Sequence, residues 1–428
     1  MGKMDLFYFF FHLAINLNRD GGVTTFITTN YYPTASGAKK LRKDIFERTQ
    51  IRELINFNEL KIFESALGQH NMITVLEKCK DDQPTLITMA QSGGLAGADT
   101  LAQLLAKDSP IATYSANSKD DLFDEDDYSI RFSGDDTEGS SAADLVLSKI
   151  KNNQYALEHV ASINQGLLSG ADTVTKKHKE KFDLVSEAGD GIFVLDATRR
   201  TDAEVLESFT PKELQFVHPF YKNSNIYKYS CDTEPTKFVI YLSRTDGIDG
   251  LPNIAAHLHK FKALLTNRLT TYNESYPWYS LHRARERSIF ESEKIMVPYR
   301  SKTNVFGYTN EPWYFRTDAY SVITKNSEYP LKYLLGILNS KLALFWLYNR
   351  GKRKGDTLEL FYDPLSKIPI ASCSEDQQKM IIALVDEIIV ERSKDSRADT
   401  HDTEQRVDQL IYEIYGLTDE EISIVESS

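Results

Sequence analysis

The first eighty residues leave little freedom of fold class. Residues 5–18 are apolar and aromatic almost throughout, with Asp5 placed to cap a helix and Gly21-Gly22 placed to stop it. Aromatic side chains cover most of that helix, so it should be buried. Residues 23–29 (VTTFITT) are β-branched and read as a buried strand. A loop at 30–37 and a helix at 38–49, whose basic face carries Lys39, Lys40, Arg42 and Lys43, lead to a second strand at 51–57. A loop at 63–68 precedes a third strand at 71–77. Helix–strand–helix–strand with a hairpin-like return is the second half of a doubly wound α/β sheet that ends on an antiparallel edge. Such a sheet holds its nucleotide at a glycine-rich first βα turn, and this sequence carries no such turn. Half of a nucleotide-binding domain is therefore expected, without the half that bears the phosphate or sulfonium loop.

A second feature bears on function. Residues 277–301, PWYSLHRARERSIFESEKIMVPYRS, interleave Trp278, Tyr279, Phe290 and Tyr299 with His282, Arg283, Arg285, Arg287, Lys294 and Arg300. Arginine forks suit phosphate oxygens and the acceptor edge of guanine, and flat rings stack on bases or pack on sugars. The same pattern also describes an amphipathic segment with wet arginines and a buried aromatic face. Further on, a glycine-bracketed basic loop at 351–356 (GKRKGD) offers Lys352, Arg353 and Lys354 just after Arg350. Lys176, Lys177, His178, Lys179 and Lys181 form another cationic cluster, either a solvated face or a set of backbone-phosphate contacts. The formal net charge of −12 argues against a protein that coats nucleic acid indiscriminately. It is compatible with a local basic cleft, because acid is concentrated elsewhere, in Asp120, Asp121, Asp124, Glu125, Asp126 and Asp127 and in the last fifty residues.

Other classes are disfavoured. Cys79, Cys231 and Cys373 are scattered and form no CxxC pair, so neither a disulfide framework nor a zinc site is suggested and a reducing cytoplasm is the default. His257 and His259, two apart on a helix expected at 253–267, point to different faces and make a poor metal pair. The apolar start falls short of the roughly 20 residues of a membrane span and lacks a cleavage site. Residues 79–155 are the least informative: 93–97 (GGLAG) read as a turn, and the acidic, serine-rich 118–141 as an exposed linker. Strands are expected at 191–195 and 238–242, a core helix at 331–348, and amphipathic helices at 377–392 and 402–415.

In this order the segments resemble the later motifs of adenine-N6 DNA methyltransferases of the TaqI-like and type IIG restriction–modification class. A D-L-Y/F-type helix, a Gly-Gly turn, a strand reading FITTN at 26–30 and a strand with Leu54-Ile55-Asn56-Phe57 follow one another as they do in that family, although Thr29 stands where the family usually has proline. Ile163, Gln165, Gly166, Gly170, Ala171 and Asp172 resemble the entry to its specificity domain, and VHPFYKNSNI, with Lys222, resembles a further segment. Trp278, Leu281 and Arg285, the EKIMVP strand, LLGILNSK at 334–341 and PLSKIPI at 364–370 continue the series. The resemblance implies an incomplete doubly wound, Rossmann-like methyltransferase sheet, an α+β target-recognition domain and closing helices, divided at 1–115, 116–154 (acidic linker), 155–372 and 373–428. It implies double-stranded DNA as partner, S-adenosylmethionine as methyl donor of the complete enzyme, and an adenine drawn out of the stack because its amine cannot be reached in a duplex. It also places Phe63 on the flipped base, against the alternative of a core phenylalanine. The family's NPPY loop occurs nowhere in the 428 residues. This chain alone is therefore expected to bind no cofactor, to be inactive, and to depend on a missing N-terminal methyltransferase half, in the same chain or in a partner subunit. The alternatives are a non-catalytic specificity subunit of a split system and a remnant that binds only protein. The DNA contacts implied are Lys176, Lys177, Lys222, Trp278, His282, Arg283, Arg285, Arg287, Arg300, Arg350, Lys352, Arg353 and Lys354.

Overall fold

A computed structural model describes residues 4–64, 70–79, 81, 83–123, 128–130, 132, 142–152, 154–272, 274–354 and 357–427. They fall into two compact units, Met1–Ser148 and Lys149–Ser428.

In the first unit, helix α1 (Leu6–Leu17) begins at Asp5, whose carboxylate accepts from the Phe7 N–H. Strand β1 (Val23–Thr29), helix α2 (Lys39–Arg48), β2 (Gln50–Asn56) and β3 (Asn71–Glu77) follow the sequence reading closely. Two further strands, β4 (Thr85–Ala90) and β5 (Ala112–Asn117), flank helix α3 (Ala98–Leu105). The sheet order is β1-β3-β2-β4-β5. The return strand β3 is therefore not the antiparallel edge expected from sequence. It is inserted between β1 and β2 and runs antiparallel to both, while β4 lies parallel to β2 and β5 forms the antiparallel edge. An interior place explains why Met72, Thr74 and Leu76 are buried to 2% exposure or less. The GGLAG segment, between β4 and α3, is more than a turn, because Gly94–Leu95 pairs in parallel with Leu60–Lys61.

One face of this sheet packs Phe11, Ile15, Leu41, Ile45, Leu54 and Met72, and the other packs Ile55, Phe57, Ala90 and Leu104. Helix α1 buries only Tyr8, Phe11 and Ile15, one stripe of an apolar cylinder. Phe9, Phe10 and Leu13 are half exposed and Leu17 is 77% exposed, so the expectation of a buried helix fails. The acidic segment is also not wholly an exposed linker. Leu122, Phe123 and Ile130 are buried, and the Ile130 N–H reaches Pro33 O at 3.0 Å. Residues 124–127, 131 and 133–141 lie outside the described ones.

The second unit contains two four-stranded sheets. In chain order its strands and helices include β6 (Ala161–Gln165), α4 (Lys176–Phe182), β7 (Val194–Asp196), β8 (Val217–Tyr221), β9 (Lys237–Ile240), α5 (Pro252–His259) and α6 (Lys262–Tyr272). Next come β10 (Lys294–Pro298), β11 (Arg300–Ser301), β12 (Gly307–Thr309), β13 (Tyr314–Phe315), β14 (Ala319–Thr324), α7 (Leu331–Asn339) and α8 (Lys341–Arg350). The last are β15 (Arg353–Lys354), β16 (Thr357–Glu359), α9 (Glu375–Lys394), α10 (His401–Ile414) and α11 (Asp419–Glu426). The sheets run β7-β9-β8-β13 and β12-β10-β14-β6, and β11-β16-β15 make a small third sheet. Trp313, Phe290, Tyr314 and Phe315 sit in the core. The two long helices expected at 253–267 and 331–348 are each divided in two. Among the described residues no helix is long and apolar enough to cross a membrane, and no His, Cys, Asp and Glu group could hold a metal.

Candidate nucleic-acid interface

The arginine-rich segment is held by the turn that follows β6. Gly166 lies against the backbone of Phe315 and Arg316, where a Cβ would come within 2.4 Å of two carbonyl oxygens. The next residues pair across: Arg283 N–H donates to Leu168 O at 2.8 Å, and Leu168 N–H donates to Arg283 O at 2.9 Å. Gly170, at φ +82°, makes room for the buried Arg268, whose guanidinium donates to the carbonyls of Ser169, Trp278 and Ser280. Asp172 binds Arg316 Nη1 at 3.0 Å through its carboxylate. Its carbonyl accepts the N–H groups of Ile192, Phe193 and Val194, and the strand expected at 191–195 starts only at Val194.

On this frame Arg285 takes a left-handed backbone conformation, φ 71°. Its side chain points Nη2 toward Gln165 Oε1 at 3.3 Å, and its charge acts on the Tyr320 hydroxyl. Tyr320 stands beside Tyr299 with ring centroids 6.5 Å apart, and Tyr299 beside Phe361 at 6.0 Å, in near-parallel planes. Cations line this aromatic row. Arg300 lies 5.3 Å from the Tyr299 ring and Lys352 5.0 Å from the Phe361 ring, while Arg353 lies over Tyr348 at 5.1 Å. Sequence separates Arg300 from the GKRKGD loop by fifty residues, and strand pairing of β16 with both β11 and β15 joins them. Glu359 on β16 is 6% exposed, and its carboxylate accepts from Arg300 Nε and Nη2 at 3.1 and 2.6 Å, with Lys352 Nζ at 3.3 Å. Burial alone would raise its pKa, but the Arg300 bonds and the Lys352 charge reverse this and hold it below the usual carboxylate value.

The structure thus gathers Arg285, Arg300 and Lys352 of the anticipated contacts around one aromatic row, buried at Tyr320 and half-buried at Tyr299 and Phe361, while Arg353 lies over Tyr348. Arg283 is exposed beside Arg285, and Arg287 stacks over Tyr241 at 5.1 Å. Arg350 closes α8, and the Lys354 backbone lies in β15. Lys176 and Lys177, on the first turn of α4, and Lys222, after β8, are exposed on separate elements. His282 is misplaced by the sequence reading: it is 3% exposed, with Nδ1 bonded to Tyr276 OH at 2.8 Å, and cannot touch a ligand. Trp278 is half-buried against the core, its ring 5.0 Å from that of His259 and 5.4 Å from the Lys262 ammonium. Lys294 of the same stretch is fully buried. His257 Nε2 donates to Ile192 O, 2.9 Å away, as a core residue. In the first unit Phe63 is 45% exposed, so the core alternative fails for it. It follows a short pair, Leu60–Lys61 with Gly94–Leu95, beyond the carboxyl end of β2. Glu359, Phe361 and Tyr320 escaped the sequence reading. Each sits in a mixed apolar run, and only pairing across the chain brings them to the arginines.

Residues 218–370 match the family described as TaqI-like C-terminal specificity domain, and residues 1–63 match Eco57I restriction-modification methylase. Type II methyltransferase M.HincII of Haemophilus influenzae is 24% identical over 376 residues, 85% of this chain and 66% of that protein. Type II methyltransferase M.HindII of Haemophilus influenzae strain Rd is 23% identical over 386 residues, 85% and 67% of the two chains. The chain spans about two thirds of the length of these relatives. The solved Type IIL restriction-modification enzyme MmeI, in complex with DNA, shares the fold over 96% of this chain and 49% of its own, with TM-score 0.58 and 13% identity.

Proposed function

We propose that this chain, a relative of type II restriction–modification methyltransferases with a TaqI-like C-terminal specificity domain, reads duplex DNA for a site-specific adenine-N6 methyltransferase. One observation carries the reading: Arg285, Arg300 and Lys352 converge from three separate segments on the row Phe361–Tyr299–Tyr320, and Arg353, next to Lys352 in the chain, lies over Tyr348. Fixed cations beside flat rings suit a polyanion whose sugars and bases lie between its charges. Arg283 and Arg287 extend the same surface. Lys176, Lys177 and Lys222 act in this reading as outlying phosphate contacts. In the first unit, the exposed ring of Phe63 is suited to stack on an adenine turned out of the duplex, where its exocyclic amine becomes accessible.

S-adenosylmethionine is the methyl donor in this reading. The Gly93–Gly97 segment is already committed elsewhere, Gly94–Leu95 being paired with Leu60–Lys61. The donor is therefore assigned to methyltransferase residues bearing the NPPY loop, which this sequence does not contain, and the contribution of this chain is recognition.

The test is fluorescence anisotropy with a labelled mixed-sequence duplex over a range of salt. Arg285→Ala and Arg353→Ala are each expected to weaken binding by about 1–3 kcal/mol, and loss of a phosphate contact should also flatten the salt dependence by about one unit. Affinity and salt slope unchanged in both variants would sink the reading.

A further inference from the structure

The cations of this surface are not equally free, and the difference points to one acidic residue. Glu359 is nearly buried, yet its carboxylate is shared between Arg300 on β11 and Lys352, which precedes β15. The backbone reinforces the arrangement. Glu359 N–H donates to Lys352 O at 2.8 Å, Leu360 N–H donates to Tyr299 O at 2.8 Å, and Glu359 sits opposite Arg300 in the strand ladder. The pairing uses Nε and Nη2 of Arg300 and leaves Nη1, with two N–H donors, for another acceptor. The Arg300 side chain remains 48% exposed and that of Lys352 36%. A long cationic side chain loses rotamer freedom when it binds a phosphate, and that cost falls if another group has already fixed its direction.

We propose that Glu359 is a positioning residue for DNA, holding Arg300 and Lys352 at fixed spacing beside the Tyr299–Phe361 rings so that both cations meet the duplex already aligned. The inference rests on the reading of this surface as DNA-binding. It runs against simple charge counting. A carboxylate in a DNA-binding face repels phosphate, so its removal should tighten binding if net charge alone matters. If position matters more, removal loosens binding. Two cations on one anion leave the group net positive, which lets the carboxylate act as an anchor and not as a barrier.

The experiment compares Glu359→Gln with Glu207→Gln, an exposed glutamate far along the chain, in anisotropy with the same mixed-sequence duplex. Both variants remove one negative charge. Glu207→Gln should bind equally or slightly more tightly, and Glu359→Gln about three- to tenfold more weakly, with a shallower salt slope. Equal or tighter binding by a folded Glu359→Gln overturns the proposal while leaving the DNA-binding reading intact. No binding by the unsubstituted chain at low salt overturns both. Should Glu359→Gln fail to fold, Arg300→Lys carries the test. Lysine keeps the charge but cannot make the two-pronged bond. Positioning then requires a several-fold loss, and unchanged affinity overturns it.

Discussion

Lys294 shows how a single residue of the arginine-rich stretch is diverted from the surface. Its side chain is fully buried, and its ammonium donates to the carbonyls of Phe290, Ser292 and Glu311 at 2.7, 2.9 and 3.0 Å. Burial pushes its pKa down from 10.5 to about 8, against the opposing pull of Cys231, Glu291 and Glu311. In the unfolded chain the amine keeps its proton to higher pH. From about pH 8 to 10 the unfolded state therefore holds more protons, and stability rises with pH by up to about 1.4 kcal/mol per unit from this residue. Urea unfolding at pH 7.5, 8.5 and 9.5 should show the parent gaining on Lys294→Met across the series. Parallel curves would mean that the buried amine does not titrate there. Nothing in the sequence separates Lys294 from Arg300, six residues on. Both are cations beside aromatics, and only the depth of β10 against the edge position of β11 distinguishes them.

At the scale of elements, the informative departure is the division of the apolar run at 331–348. The run keeps helical periodicity across Asn339 and Ser340, so a single helix is the natural expectation. The division comes from bonds made by distant residues. Asn304 Nδ2 donates to the carbonyls of Leu338 and Ser340, both at 2.8 Å, and the Asn339 amide exchanges two bonds with the Phe306 backbone. Ser340 then accepts the Ala343 N–H at 3.1 Å as the cap of α8, while Asp408 of α10 takes the Lys341 N–H at 2.9 Å. Replacing Ser340 by Ala should cost about 1–2 kcal/mol in a denaturation experiment. A variant as stable as its parent would show that the Asn304 and Asn339 bonds hold the break without the cap. The order of the first five elements, α1 to β3, was legible because each of their strands has its own β-branched signal. The insertion of β3 between β1 and β2 was not, since pairing order is a long-range property. The strands TLITMA and ATYSAN were missed because they are short and lie in a stretch dominated by polar and acidic residues.

For the molecule as a whole, the net charge of −12 and the cationic surface are reconciled by local placement. The basic groups of 283–300 and 352–353 were visible as two unrelated stretches, and their meeting at Glu359 depends on strands that the sequence does not announce. One feature of the first unit governs how the purified chain should behave in the tube. Strand β1 stands first in its sheet, without a neighbour on one side among the described residues, and shows Val23 and Ile27 at 59% and 46% exposure. Beside it, α1 turns Leu6, Phe9, Phe10, Leu13 and Leu17 outward. An open ladder bordered by grease is an adhesive, and it grows more so as molecules are crowded together. Light scattering from the isolated chain should climb steeply with protein concentration. Ile27→Lys, a gatekeeping charge at an exposed position, should flatten that climb while leaving the melting temperature nearly unchanged. Equal scattering from the two proteins would place the stickiness elsewhere.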